Sequence, residues 1–203
     1  MKRLCLMWLA ALWCGSLLGQ SGGDVLRGVG EKVAQMGTYA IEFTLKAEGI
    51  APSSGECVVT REGLYRIELD GMIQGFDGES VWVVNPAAEE ITLDAPNLQS
   101  RSLFDNPAKA FEFAEELFEV EEVAHEAAMI HLYLVPKEGV LDGVDRVHLV
   151  VDEATSLPAS LGYEIGGATL YVVVERMEAC AAVPSRFVLP AKDYPDFEVI
   201  DFR

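Results

Sequence analysis

DGESVWVVNPAAEEITLD, residues 77–94, reads as a turn, a strand, a second turn and a second strand. Asp77-Gly78 and Asn85-Pro86 are turn dipeptides. Between them Val81, Trp82, Val83 and Val84 make a short β-branched and aromatic run. Side chains alternate along a strand, so Val81 and Val83 point one way and Trp82 and Val84 the other. Both faces are apolar, and each needs something to cover it. The pattern leaves open which face Trp82 takes.

The same period of two extends in both directions. Upstream, residues 38–48 alternate Tyr39, Ile41, Phe43 and Leu45 with polar or small partners. Residues 56–69 form a hairpin around Arg61-Glu62-Gly63, with Tyr65, Ile67 and Leu69 on one face, and a short piece follows at 72–76. Downstream, strands resume at 118–123. In 128–136, Ile130, Leu132 and Leu134 oppose Met129, His131 and Tyr133. A strand at 145–152 follows, then a hairpin turned at Gly166-Gly167 and a last strand near 196–202.

Two segments break the period. Residues 23–37 carry Leu26, Val29, Val33 and Met36 at helical spacing. Residues 107–116 begin with Asp105 or Asn106 as N-cap and Pro107 in the first turn, with Phe111 on the apolar side. Before the second helix lie Leu98, Leu103 and Phe104, much apolar surface for a loop. The predicted architecture is mainly antiparallel β, with about 10–11 strands in an unclosed half barrel and helices across its concave side. Pattern alone leaves open whether that side is a pocket or a solid core.

The chain has 203 residues, half of them hydrophobic, enough for one domain with a sizeable core. Lys2 and Arg3 precede an uncharged apolar run too short to span a bilayer, so residues 1–19 read as a cleavable secretory signal and 20–203 as one domain. Losing Lys2 and Arg3 without any acid takes the formal charge from −18 to −20. Such a surface repels nucleic acid and anionic membranes. Cys57 and Cys180 remain in the mature chain, either as a single bridge or as two buried thiols.

No catalytic constellation emerges. His131 and His148 lie opposite their strands' apolar sets and read as solvent-facing. Neither Cys-x-x-Cys, His-Glu-x-x-His nor Gly-x-Ser-x-Gly occurs. The expectation is a binding protein rather than an enzyme, with no cofactor and no metal.

In this order the motifs resemble the LolA family of periplasmic lipoprotein carriers. The resemblance rests on the hairpin of residues 77–93, on CVVTREGLYRIEL (57–69), DNPAKAF (105–111), LYLVP (132–136) and SRFVLP (185–190), and runs from about residue 24 to 203. It implies an open antiparallel barrel lidded by helices, lying in the periplasm as a monomer. Acylated lipoproteins would be taken from an inner-membrane lipoprotein-releasing ABC transporter and given to an outer-membrane receptor or membrane. Strand parity nominates Phe43, Leu45, Tyr65, Ile67, Leu132 and Leu134 as cavity lining, and the resemblance adds Trp82 and Phe111. It also places Arg61 where the family's gating arginine bonds lid backbone. Glu62, where a proline is common, departs from the pattern. The alternative on the same scaffold is a regulatory domain that senses lipid or lipopeptide.

Overall fold

The computed structural model describes residues 21–102, 105–111, 113–114 and 116–203. The expected signal segment, Leu103 and Phe104 lie outside them. Helix α1 (Gly22–Met36) begins where Ser21 accepts a hydrogen bond from the Asp24 amide (3.1 Å), and it ends at Gly37. Its buried stripe is Val25, Leu26, Val29 and Val33. Strands β1 (Tyr39–Ala47), β2 (Ile50–Val59), β3 (Tyr65–Leu69), β4 (Met72–Phe76), β5 (Val81–Asn85) and β6 (Glu90–Asp94) follow as a meander. One helical turn, α2 (Pro107–Ala110), interrupts. Then come β7 (Phe118–Glu126), β8 (Met129–Pro136), β9 (Arg146–Asp152), β10 (Pro158–Ile165) and β11 (Ala168–Ala179). Two 3-10 turns, Pro184–Arg186 and Ala191–Asp193, lead to β12 (Glu198–Asp201).

The twelve strands of the described residues join one sheet in the order β12-β6-β5-β4-β3-β2-β1-β11-β10-β9-β8-β7. The long pairing of β1 with β11 splices the two meanders, and β12 and β7 remain as edges, so the sheet is unclosed. The count exceeds the expected 10–11. The pairing of β12 with β6 is parallel, unlike every other pair. The C-terminal segment reaches β6 by crossing a sheet face, and the direction of that crossing sets the orientation of β12.

The sheet curls. Tyr65 of β3 and Leu132 of β8 stand six strands apart in the sheet order, yet both belong to one buried cluster with the stripe of α1. Tyr39, Ile41, Phe43, Ile67, Leu134, Leu149 and Leu161 share that cluster. This is the concave face, covered by α1 and by the β6–β7 connection. The unclosed antiparallel sheet with helices over one face is the architecture expected.

The second helix is shorter than the predicted 107–116. Phe111 is already past its last turn, and both Phe111 and Phe113 are buried (2% and 5% exposed). Residues two apart point to different sides of a helix. Burying both aromatic rings against one core therefore requires the chain to leave the helix.

A second, smaller cluster lies on the opposite face. Trp82, Val84 and Ile91 are buried there against Ile73, Leu93, Leu189, Tyr194 and Phe197. Val81, next along β5, packs into the main cluster instead. Both apolar faces of the quoted strand thus have a cover: the concave core on one side and the C-terminal segment on the other. Trp82 lies over Gly75 of β4, where a Cβ would fall 2.2 Å from the indole ring.

Candidate functional site

The concave face brings together six of the eight residues nominated as cavity lining. Phe43, Tyr65, Ile67, Phe111, Leu132 and Leu134 are all buried in the main cluster, and Leu45 packs at its margin. Trp82 does not join them. It belongs to the outer cluster, with its indole Nε1 donating to the carbonyl oxygen of Phe187 at 2.9 Å. Strand parity could not assign it, because both faces of β5 are apolar.

Hydrogen bonds tie the described residues of the cover to the sheet and to one another. The Tyr65 hydroxyl donates to the backbone carbonyl of Asp105 (3.1 Å) and accepts from Gln74 Nε2 (3.2 Å). Burial pushes the Tyr65 phenol up to about 12, with the Gln74 bond opposing the shift. Asn106 donates to the Leu98 carbonyl at 3.5 Å, and its backbone amide bonds the Ser102 carbonyl at 2.9 Å. Gly30 of α1 lies directly against the Phe113 carbonyl, where a Cβ would sit 2.5 Å from the oxygen. The glycine thus lets the β6–β7 connection rest on the helix. Gly28, by contrast, faces open space.

Arg61 is exposed in the β2–β3 turn. Its guanidinium lies beside Gly37, with Nη2 3.3 Å from where a Cβ would be. That is the carboxyl end of α1, a position the helix dipole favours for a cation. Among the described residues the hydrogen bond from sheet side chain to cover backbone is made by Tyr65 rather than by Arg61.

A groove of about 320 Å³ opens where the β6–β7 connection meets β10 and β11. Val140, Leu141, Val144, Tyr163, Leu170 and Val172 form its apolar wall, and Arg101, Ser102 and Asp105 line the polar side. A void of about 10 Å³ shares Arg101, Leu141 and Tyr163 with the groove and reaches Phe113, Phe118 and Leu161. The groove therefore leads toward the buried face beneath the cover. None of the residues nominated from sequence lines it. Its wall comes partly from the β8–β9 connection, KEGVLDGVD, whose mixed pattern carried no strand or helix signal.

Among the described residues Cys57 and Cys180 are free thiols, and Cys57 is fully buried on the concave face, where burial pushes its thiol up. No group of three or more His, Cys, Asp or Glu arranged to hold a metal ion occurs among the described residues. Nor is any described helix long and apolar enough to cross a membrane.

No protein-family model and no curated protein matches the chain. Solved structures do. A Thermus thermophilus protein described as an uncharacterized conserved protein superposes over 90% of this chain and 99% of its own, with TM-score 0.59 and 12% identity. At that identity the likeness is one of fold. Lower scores are found for the Mycobacterium tuberculosis lipoprotein LppX (TM-score 0.47, 9% identity, 80% of this chain and 100% of that one). A LolA superfamily protein from Nitrosomonas europaea also aligns (0.41, 9%, 82% and 98%). The architecture observed, an open antiparallel sheet under a helical cover, is the one that the sequence motifs implied.

Proposed function

We propose that this chain is a non-enzymatic carrier of acyl chains, which it shelters between the concave face of its sheet and the β6–β7 cover. The observation that carries this reading is the layering of the apolar concave face: beside α1, the described part of its β6–β7 cover is one helical turn with the buried rings of Phe111 and Phe113, separate from the sheet itself.

Magnitudes favour an exchange. Burying Phe111 and Phe113 contributes about 1.5–3 kcal/mol each, and each polar contact about 1 kcal/mol. A long acyl chain is worth about 0.8 kcal/mol per methylene, on the order of 12 kcal/mol in all. An acyl chain entering by the groove can therefore displace the two rings, and the rings can return when a membrane or acceptor takes the chain. The open state needs no new fold.

The resemblance to LolA supplies the finer reading. The cargo is the lipid moiety of acylated lipoproteins, carried across the periplasm from an inner-membrane ABC transporter to an outer-membrane acceptor. The acidic surface fits a carrier that must not adhere to anionic membranes between those steps.

The test is native mass spectrometry of the mature protein, first as purified and then after delipidation and incubation with a synthetic triacylated lipopeptide. One bound lipopeptide that passes to outer-membrane vesicles supports the reading. A protein that binds none in detergent-free buffer contradicts it.

A further inference from the structure

On the outer face of the sheet, opposite the side that packs into the main cluster, His131 and His148 meet. His131 of β8 and His148 of β9 are diagonal neighbours two residues out of register, His131 opposite Val150 and His148 opposite Tyr133. Their Nδ1 and Nε2 atoms are 3.0 Å apart. Both are half-buried rather than fully solvent-facing. Tyr133 stacks on His148 with centroids 4.4 Å apart and planes 2° from parallel, and the two imidazoles lie 5.2 Å apart at 23°. Gly162 is the cross-strand neighbour of His148 on β10, and the Tyr171 ring lies over it.

We infer that His131 and His148 form a two-histidine site for a borderline divalent transition ion such as Cu²⁺, Ni²⁺ or Zn²⁺. Imidazole nitrogens each about 2.0–2.1 Å from a shared ion, at an angle between about 90° and 110°, are roughly 2.9–3.4 Å apart. The observed spacing falls in that range. The two ligands come from adjacent strands of a regular ladder, and Tyr133 stacks on one of the rings. Binding needs a change of tautomer in one ring and a turn of the imidazoles that aims both facing lone pairs at the ion, with the strands unmoved. No third His, Cys, Asp or Glu completes a cluster among the described residues, so water fills the remaining positions and the ion exchanges readily.

The proton count balances without release. In the free protein one ring nitrogen donates its proton across the gap to the other. On binding, that proton moves to the opposite nitrogen of the same ring, and both facing lone pairs go to the ion. Desolvation, and then the neighbouring His131, lower the His148 pKa from its ordinary value. Glu164 acts on His148 in the opposite sense and attracts a cation to the site. Arg146, the cross-strand neighbour of Glu164, is paired with Glu121 at 2.8 Å.

The experiment is calorimetric titration of tag-free mature protein with CuCl₂ and with ZnCl₂, repeated on three variants. Wild type should bind one ion, and His131→Ala and His148→Ala should each weaken binding at least tenfold. His125→Ala should leave it unchanged, because His125 is exposed elsewhere and paired with Glu153 at 2.8 Å. A readout on the unmutated protein accompanies it: the ¹⁵N resonances of His131 Nδ1 and His148 Nε2 should move on addition of Zn²⁺ while those of His125 stay. No binding at millimolar ion, equal binding by all variants, or a shift confined to His125 overturns the site.

Discussion

The hydroxyl of Tyr65, at the start of β3, donates a hydrogen bond to the carbonyl oxygen of Asp105, one residue before the N-cap of α2. This bond ties the buried floor of the sheet to the cover above it, and Gln74 holds the hydroxyl from the other side. Tyr65→Phe keeps the ring and removes the tie, leaving a carbonyl without its partner at a cost of about 1–3 kcal/mol. Hydrogen exchange at the Asn106 and Lys109 amides should accelerate roughly tenfold or more, with exchange in β1 and β8 unchanged. Arg61→Leu, at the far end of α1, should change exchange in the cover much less. Equal effects of the two substitutions would support the gating role for Arg61 that the LolA resemblance implied.

The two helix glycines separate propensity from contact. Gly28→Ala meets no atom within 4 Å and should stabilise α1 by about 0.5–1 kcal/mol. Gly30→Ala drives a methyl into the Phe113 carbonyl and should destabilise by about 1–3 kcal/mol despite the same gain in propensity. Urea denaturation of both variants decides it. The same sign for both would mean that the cover does not rest on α1 as described.

Trp82 secures the C-terminal segment to the outer face. Trp82→Phe loses the bond to the Phe187 carbonyl and part of the packing, about 1–3 kcal/mol. Arg186, whose guanidinium bonds Glu56 at 2.8 Å, lies next to that carbonyl and becomes the reporter. Trypsin should cut after Arg186 markedly faster in the variant, while the acyl-binding capacity of the concave face is retained. Unchanged cleavage would mean that the indole does not hold the strap.

The buried acids set an alkaline limit. Cys57, Tyr65 and Tyr163 are held neutral by burial, with pKa values raised above ordinary ones near 9 for the thiol and 10 for the phenols. In that range the folded state binds more protons than the unfolded chain, so stability falls as pH rises. Their contribution is fully present below about pH 9 and should fade from there upward, with Tyr65 losing its share between about 10 and 12. Urea melts at pH 7, 9 and 11 should show the decline, and Tyr65→Phe should flatten part of it. Constant stability to pH 11 would show that these groups are not buried in solution.

Much of this architecture was legible in the residues. Alternation in Tyr39, Ile41 and Phe43, and in Ile130, Leu132 and Leu134, gave both the strands and their buried face, because only one side of each is apolar. Where both sides are apolar, as around Trp82, parity says nothing, and the outer cluster appears only once the C-terminal segment is seen to cross. The first half of β2 was missed because Pro52 and two serines hide it, and its pairing with β1 shifts register there. The turn at Ala127 and Ala128 carries no turn residues, although both adopt positive φ (48° and 65°). The groove arises where three chain segments distant in sequence converge, which no local pattern records. The meeting of His131 and His148 depends on the register of β8 against β9, which likewise becomes visible only when the ladder is known.

The central claim is that acyl chains enter beneath the β6–β7 cover and lie on the concave face. Photo-crosslinking tests it most directly, using a lipopeptide with a diazirine at mid-chain and peptide mapping of the adducts. The account predicts adducts on the concave set, at Ile67, Phe111, Phe113 and Leu132, with Tyr163 and Leu141 marking the path inward. Adducts confined to the outer face, around Trp82, Tyr194 and Phe197, or none at all at saturating lipopeptide, would contradict it.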